Sequence, residues 1–151
     1  MFTFQTVVQT DETLLALMQA LYAEDGFAVF DEALARRGLE TLLASAEFGR
    51  VFYVCRSREI IGYVVLCFGF SLEFGGRDAF VDELYIAPRF RSLGAGTAAI
   101  AYATQICHNE GIQALHLEVE RHNTRAQNLY RRLGFVDHDR YLLTRRLSSD
   151  G

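Results

Sequence analysis

The chain has 151 residues, of which 50% are hydrophobic and 23% are charged. This length and composition favour one globular domain, residues 1–151, whose core is large enough to fold without disulfides or a metal. The formal net charge of -4 comes from acids spread along the chain, which argues against nucleic acid or an anionic membrane as a partner and favours a cationic small molecule.

Cysteine usage and hydropathy bear on the compartment. Cys55, Cys67 and Cys107 form no close pair in the sequence and leave one over, which favours a reducing compartment over a disulfide framework. The sequence shows no signal-like start and no apolar run near the roughly 18 residues that span a bilayer. We therefore expect a cytoplasmic protein, and the spacing of its histidines predicts no metal site.

The first part of the chain predicts two amphipathic helices. Residues 11–23 place leucines and a methionine at helical spacing behind an acidic start. Residues 31–46 carry a similar leucine stripe, interrupted at Gly38. Both helices precede the main strands.

The remaining elements alternate between strand and helix patterns. Residues 50–55 and 60–70 predict a hairpin, and residues 79–88 predict a third strand that Pro88 closes. A helix over 93–109, a strand over 114–120, a short helix from Asn123 to Gly134 and final strand material at 135–136 and 141–147 complete the order. This order predicts a single mixed α/β domain.

The glycine-bearing stretch RSLGAGTAAIA, residues 91–101, is the first candidate site. The first amides of a helix lack intrahelical partners and lie at its positive end, so a glycine turn there can bind phosphate. The letters GAGTAA also satisfy the dinucleotide fingerprint, and Glu118 and Glu120 lie near the position of the acid that binds the ribose. A purely structural turn is the third interpretation, because a lone G-x-G is a weak pattern.

Three features weigh against a dinucleotide site. Six residues, PRFRSL, separate the strand end at Ala87 from Gly94, which is longer than the tight turn of that fingerprint. The unit begins more than halfway along the chain, which leaves little room for a second half of the fold. Arg89 and Arg91 add cationic donors beside the amides, which suits a longer loop that binds pyrophosphate.

The segment IAPRFRSLGAG resembles the signature of the GCN5-related N-acetyltransferase (GNAT) family, in which a strand and a proline precede the phosphate loop. Arg91, Gly94 and Gly96 occupy the three defining positions, while Ser92 stands where glycine is commoner. A second motif of the family is similar to Asn123, Ala126, Tyr130, Gly134 and Phe135, at the expected distance after one helix and one strand. The likeness covers residues 82–135 and is looser before them.

This resemblance implies an α/β (α+β mixed) fold with a central, mostly antiparallel, twisted sheet flanked by helices, its strands splayed at the cofactor site. It also implies acetyl-CoA as the cosubstrate, with its pyrophosphate on the loop residues Arg91, Ser92, Leu93, Gly94, Ala95, Gly96 and Thr97. Leu84, Tyr85 and Ile86 would pair with the acetyl carbonyl and pantetheine as an added strand would. Asn123, also an N-cap candidate, and Asn128 are further cofactor candidates.

Acetyl transfer to an amine needs a proton donor for the departing thiolate. It also needs a group that attracts the protonated amine or removes its proton. Tyr130 is the candidate acid, because a phenol with a pKa of about 10 stays protonated at neutral pH. The helical spacing of apolar residues alone would place this tyrosine in the core. Its match to the second family motif favours the acid role instead. Asp82 and Glu83 are the candidate carboxylates; strand alternation predicts that they point to opposite faces, and the sequence does not decide which is the base.

Four further acids lie where this family places its acceptor pocket: Glu24, Asp25, Glu73 and Asp78. They favour a small, cationic primary amine as the acceptor, although ordinary solvated acids are an equal interpretation. The resemblance is greatest to the diamine and polyamine branch, and the family often forms homodimers. A non-catalytic acyl-CoA sensor and, after it, a nicotinamide-dependent oxidoreductase are the competing functions.

Overall fold

The computed structural model describes residues 1–26 and 29–147. Its contacts divide the chain into two compact units, Met1–Glu118 and Val119–Gly151. The single domain expected from the sequence therefore stays a prediction.

The described part of the first unit contains five strands and three α-helices. They are β1 (Phe2–Thr6), α1 (Glu12–Asp25), α2 (Glu32–Ala44), β2 (Gly49–Arg56), β3 (Glu59–Ser71), β4 (Gly76–Ile86), α3 (Ala95–Asn109) and β5 (Ala114–Leu117). A 3-10 turn, Pro88–Phe90, joins β4 to the loop before α3. The second unit contains α4 (Thr124–Arg132).

The five strands form one sheet in the order β1-β2-β3-β4-β5. The first three pairings are antiparallel, and β4 pairs with β5 in parallel. Antiparallel neighbours need only short turns, whereas the parallel pair requires a crossover, which α3 supplies. The mixed, mostly antiparallel sheet flanked by helices confirms the expected fold.

The two faces of the sheet bury different helices. Tyr53 and Tyr63 belong to a buried cluster that also contains Leu14 and Leu39 from α1 and α2. On the other face, the rings of Phe4 and Phe52 contact Tyr102 of α3. Because neighbouring strand positions point to opposite faces, the sheet has α1 and α2 on one side and α3 on the other.

The predicted helices and central strands are confirmed to within a few residues, and three other features differ from expectation. Strand β1 was not predicted, although FTFQT alternates apolar and polar residues as an edge strand does. Strand β5 ends at Leu117 and not at residue 120. The final strands predicted over 135–136 and 141–147 are wrong: these residues are not in strands, and Leu143 is 89% exposed. Apolar residues in a short segment favour a strand, but they cannot supply the partner strand that it needs.

The described residues also bear on membrane-spanning helices and on the state of the cysteines. Among them no helix is long and apolar enough to cross a membrane. All three cysteines are free thiols, with Cys55 and Cys107 buried and Cys67 half-buried.

Gly62 allows the close approach of β3 and β4, so its substitution should be costly. A Cβ at Gly62 would lie 2.0 Å from the carbonyl oxygen of Tyr85, whereas a Cβ at Gly38 in α2 would meet nothing within 4 Å. We expect Gly62→Ala to lower the free energy of unfolding by about 3 kcal/mol or more, since backbone atoms must move.

The matched variant Gly38→Ala should raise the free energy of unfolding by roughly 0.5–1 kcal/mol, because alanine is the better helix former. Urea unfolding of the two variants against the wild type measures both values. Equal effects of Gly62→Ala and Gly38→Ala on the free energy of unfolding would contradict the β3–β4 register.

Candidate active site

The loop between β4 and α3 presents backbone amides at the start of a helix. The chain has positive φ at Ser92 (64°) and at Gly94 (90°), and Gly94 is the N-cap of α3 without a side chain to cap it. The first-turn amides of Ala95, Gly96 and Thr97 have no preceding helical carbonyl to bond. These amides and the positive end of the helix macrodipole suit an anion.

Space above the loop is consistent with this use. A Cβ at Gly96 or at Gly94 would meet nothing within 4 Å. The amide of Arg91 differs from its neighbours, because it donates to the carbonyl of Pro88 in the 3-10 turn. The Arg91 amide, predicted to bind the pyrophosphate, is therefore already engaged in this turn.

The Arg91 side chain turns back toward the sheet and α1. Its Nε donates to the Ile86 carbonyl at 2.8 Å, and its Nη2 donates to Glu24 at 2.7 Å. The guanidinium carbon also lies 5.5 Å from the centroid of the Tyr85 ring. These contacts connect the end of β4, the end of α1 and the glycine loop.

The β4–β5 ladder stops before β4 does. The last parallel pair is Val81 with Leu117, whereas β4 continues to Ile86. From Asp82 onward, this edge of β4 is not bonded to β5, and this part includes the predicted pairing residues Leu84, Tyr85 and Ile86. A polar strand edge of this kind can accept an extended ligand as an added strand.

A β-bulge lies at the start of that edge. Val65 pairs with Glu83 and Leu66 pairs with Val81, so Asp82 is an extra residue on β4. The strand alternation expected for Asp82 and Glu83 therefore does not hold. Burial is the main cause of the raised pKa values of Tyr22 and Cys67, and the charge of Asp82 adds to both, which places Asp82 near groups on the Glu83 face.

Glu83 is held by two tyrosine hydroxyls. Tyr22 of α1 donates to its Oε2 and Tyr63 of β3 donates to its Oε1, both at 2.8 Å. Tyr63 is fully buried. Burial raises the pKa of Glu83 above its ordinary value, while the two hydrogen bonds lower it.

Asp82 differs from Glu83 in its surroundings. Asp82 is exposed to solvent, although nearby protein atoms partly desolvate its carboxylate and raise its pKa. Burial is the main cause of the raised pKa values of Tyr22, Tyr63 and Glu83, and the charge of Asp25, at the end of α1, adds to each of them. Three of the predicted acids thus meet on one side of the sheet.

The other predicted acids lie elsewhere in the first unit. Glu24 is paired with Arg91, and Glu73 lies in the turn between β3 and β4. Asp78 was expected in a loop but is part of β4, where its Oδ2 lies 3.0 Å from Nε2 of His116. Their roles toward an acceptor stay predictions.

The second unit contains the remaining candidates. Asn123 is the N-cap of α4, and its side chain accepts from the Ala126 amide at 3.1 Å. Asn128 is exposed and lies beside the Arg131 guanidinium. Tyr130 is half-buried and packs edge-on against Phe135, and burial raises the pKa of its phenol. The cofactor and acid roles of these residues stay predictions.

Sequence reasoning missed the residues that orient the carboxylates. The helix and strand patterns predict no polar contact for Tyr22 or Tyr63, and the histidine spacing indicates no role for His116. Tyr63 stands in a nearly continuous apolar strand, whose pattern gives no sign of the polar group that its hydroxyl contacts. These partnerships depend on the pairing of distant segments.

Comparison with known proteins identifies the family. The family model of the GNAT acetyltransferases matches residues 14–135. The chain therefore belongs to the GNAT family, whose members are acyltransferases that use acetyl-CoA as cosubstrate.

Particular relatives agree in sequence and in fold. The chain is 30% identical over 111 residues to thialysine N-epsilon-acetyltransferase from Bos taurus, which covers 65% of each chain. It is 34% identical, with a TM-score of 0.82, to an integron cassette protein from the mobile metagenome of Cole Harbour Salt Marsh, covering 96% of this chain and 90% of the other. The match to curated relatives spans 45% to 65% of their own lengths.

A third likeness concerns the fold alone. The crystal structure of a predicted acetyltransferase with acetyl-CoA from Clostridium acetobutylicum has a TM-score of 0.78, with 16% identity and 96% of each chain covered. The TM-score supports a common architecture.

Removal of the Tyr63 hydroxyl should leave one Glu83 oxygen without its donor. We expect Tyr63→Phe to raise the pKa of Glu83 further and to lower the free energy of unfolding by about 1–3 kcal/mol at neutral pH. The hydrogen bond stabilises the ionised carboxylate, so this difference should shrink as the pH falls through the pKa of Glu83. Urea unfolding over a pH series measures it.

Tyr102→Phe is the matched control on the opposite face, where the Tyr102 ring stacks on Phe4. The change in the free energy of unfolding caused by Tyr102→Phe should not vary with pH as Glu83 titrates. A Tyr63→Phe penalty that is constant from acid to neutral pH would contradict the assigned interaction.

Proposed function

We propose that this protein is an acetyl-CoA-dependent N-acetyltransferase that acetylates a primary amine of a small, cationic acceptor. The amine attacks directly within a ternary complex, since no cysteine lies in either family motif. The observation that most supports the proposal is the glycine loop at the N-terminus of α3, where a Cβ at Gly94 or at Gly96 would meet no atom within 4 Å.

The residues of the loop fit a diphosphate group. Backbone donors of Ser92 through Thr97 offer several hydrogen bonds without side chains in the way at Gly94 and Gly96. The helix macrodipole favours two negative charges at this position. Arg91 adds a positive charge nearby, although Glu24 shares its guanidinium.

The edge of β4 after Val81 suits the arm that connects the diphosphate to the acetyl group. Leu84, Tyr85 and Ile86 follow the end of the β4–β5 ladder and lead directly toward the loop. In this pose, acetyl-CoA supplies an activated acetyl group and a thiolate leaving group. Backbone hydrogen bonds along the edge hold the thioester in place.

The two neighbouring carboxylates have different roles in this proposal. Both oxygens of Glu83 accept hydrogen bonds from tyrosine hydroxyls, so Glu83 holds its surroundings in place. Asp82 reaches solvent and is the carboxylate that meets the incoming ammonium group. It attracts the cation or takes its proton through water.

Tyr130 is the proposed proton donor. Burial raises the pKa of this phenol, so it remains protonated at neutral pH and can protonate a thiolate as it departs. A cytoplasmic location and a homodimer remain expectations of the proposal.

Binding of acetyl-CoA is the direct test of the phosphate loop. Acetyl-CoA should raise the Tm of the wild-type protein in a concentration-dependent way, while NADH and NADPH should not. Gly96→Ala should leave the free energy of unfolding unchanged or raise it by up to about 1 kcal/mol. The same variant should weaken acetyl-CoA binding at least about tenfold, because the added methyl group enters the phosphate space.

Gly38→Ala is the control for this measurement, since Gly38 lies in the interior of α2. Stabilisation by NADPH alone would contradict the proposal. Binding of acetyl-CoA without release of free thiol in the presence of any amine would favour a sensor.

The acid role of Tyr130 has its own test. Tyr130→Phe should bind acetyl-CoA as tightly as the wild type and lower kcat on the order of 10² to 10⁴-fold, since the thiolate loses its proton donor. Thiol release measured at saturating amine gives kcat, and calorimetry gives the acetyl-CoA affinity. Unchanged kcat would exclude Tyr130 as the acid.

A further inference from the structure

The open end of the β3–β4 hairpin carries exposed aromatic side chains. Phe80 of β4 is 40% exposed, and Phe74, in the turn between β3 and β4, is 38% exposed. The ring centroid of His116 lies 4.8 Å from that of Phe80 and 5.4 Å from that of Phe74. These three rings, which we call the aromatic wall, form one contiguous surface. Contiguous exposed apolar surface marks a binding site, whereas single exposed apolar residues do not.

The aromatic wall lies on the face of the sheet that carries Glu83. Phe80 pairs with Cys67 of β3, and Cys67 packs on the buried cluster beneath α1 and α2. Directly opposed residues of neighbouring strands point to the same face, so Phe80 lies on that face too. Burial is the main cause of the raised pKa of Cys67, and the charge of Asp82 adds to it, which places Asp82 near this thiol. The aromatic wall and the carboxylate proposed to meet the ammonium group are therefore neighbours.

One edge of the aromatic wall is held by a carboxylate. The Asp78 side chain is only 13% exposed, and its Oδ2 lies 3.0 Å from Nε2 of His116. Because a carboxylate accepts hydrogen bonds, His116 donates from Nε2, and its ring is held beside Phe80. Asp78 is therefore engaged within the protein, and the surface that a ligand meets beyond Asp82 is apolar.

We propose that the acceptor is a primary amine with a single charge and an apolar chain, and that this chain packs on the aromatic wall while Asp82 meets the ammonium group. This inference rests on the proposed acetyltransferase function and defines its acceptor more narrowly. Phe80 precedes Asp82 by two residues, or about 6–7 Å along a strand, so the chain reaches the ring directly from the reacting nitrogen. The apolar contact supplies affinity, and the carboxylate orients the amine.

A second charge at the far end of the acceptor would oppose this binding. An ammonium group is strongly hydrated, and packing it against the rings would remove water without a carboxylate to replace it. Cation–π attraction at half-exposed rings offsets only part of that cost. The aromatic wall therefore favours an apolar far end over a polar or charged one.

The test compares three acceptors of equal length that differ only at the far end: hexylamine, aminopentanol and diaminopentane. Free-thiol release at saturating acetyl-CoA gives kcat/KM, counted per amino group. For the wild-type protein, kcat/KM should be highest for hexylamine and lowest for diaminopentane. It should also rise about two- to fourfold per methylene group from ethylamine to hexylamine, as burial of each group predicts. Equal values for the three acceptors, or a preference for diaminopentane, would overturn the inference and leave the acetyltransferase function intact.

Phe80→Ala tests the aromatic wall itself. We expect it to lower kcat/KM for hexylamine about tenfold, mainly through KM, because the chain loses the ring on which it packs. The value for ethylamine should be nearly unchanged, since this short chain contacts little of the ring. Phe70→Ala is the matched control: Phe70 is 68% exposed on the same hairpin, and it follows Gly69, so it points to the opposite face. This control should change neither value.

Two results would contradict the role of the aromatic wall. Equal losses for ethylamine and hexylamine in Phe80→Ala would mean that Phe80 acts only in the fold, and would overturn the inference. A selective loss for hexylamine in Phe70→Ala would place the chain on the other face of the hairpin and overturn it as well. Binding of acetyl-CoA without turnover of any amine would instead remove the proposed function, and this inference with it.

Discussion

The β3–β4 ladder contains one more residue on β4 than on β3, and the site depends on that extra residue, Asp82. Before it, Ala79 and Val81 are buried while Phe80 reaches solvent; after it, Tyr85 belongs to the cluster beneath α1 and α2. Without the bulge, Glu83 would point to the α3 face and could not contact Tyr22 or Tyr63. A change of register by one residue thus decides where the carboxylates lie.

The charge on Glu83 is costly to bury, and its tyrosine partners offset part of that cost. Ionised carboxylates lose hydration in a protein interior, and hydrogen bonds to both oxygens replace some of it. The raised pKa of Glu83 reflects the part of the desolvation cost that these hydrogen bonds do not offset. With a hydrogen bond to each oxygen, Glu83 is well suited to hold the two tyrosine side chains in place.

The end of α1 and the glycine loop are electrostatically linked. Glu24 and Asp25 lie at the negative end of the α1 macrodipole, which disfavours acids there by itself. Arg91 compensates by pairing with Glu24, and the same side chain is anchored to the Ile86 carbonyl. The proposed cofactor loop and the proposed acceptor region therefore share one arginine.

The sequence by itself determined the helices, the central strands and the loop at Gly94, because hydrophobic period, caps and glycine placement are local properties. It also indicated Asp82 and Glu83 as a pair. It did not determine their faces, the tyrosine partners of Glu83 or the contact of Asp78 with His116, because these depend on strand register and on residues up to 61 positions apart. Only the tertiary structure decided these arrangements, since a bulge and a cross-strand contact arise when distant segments pair and leave no periodic signal in either segment.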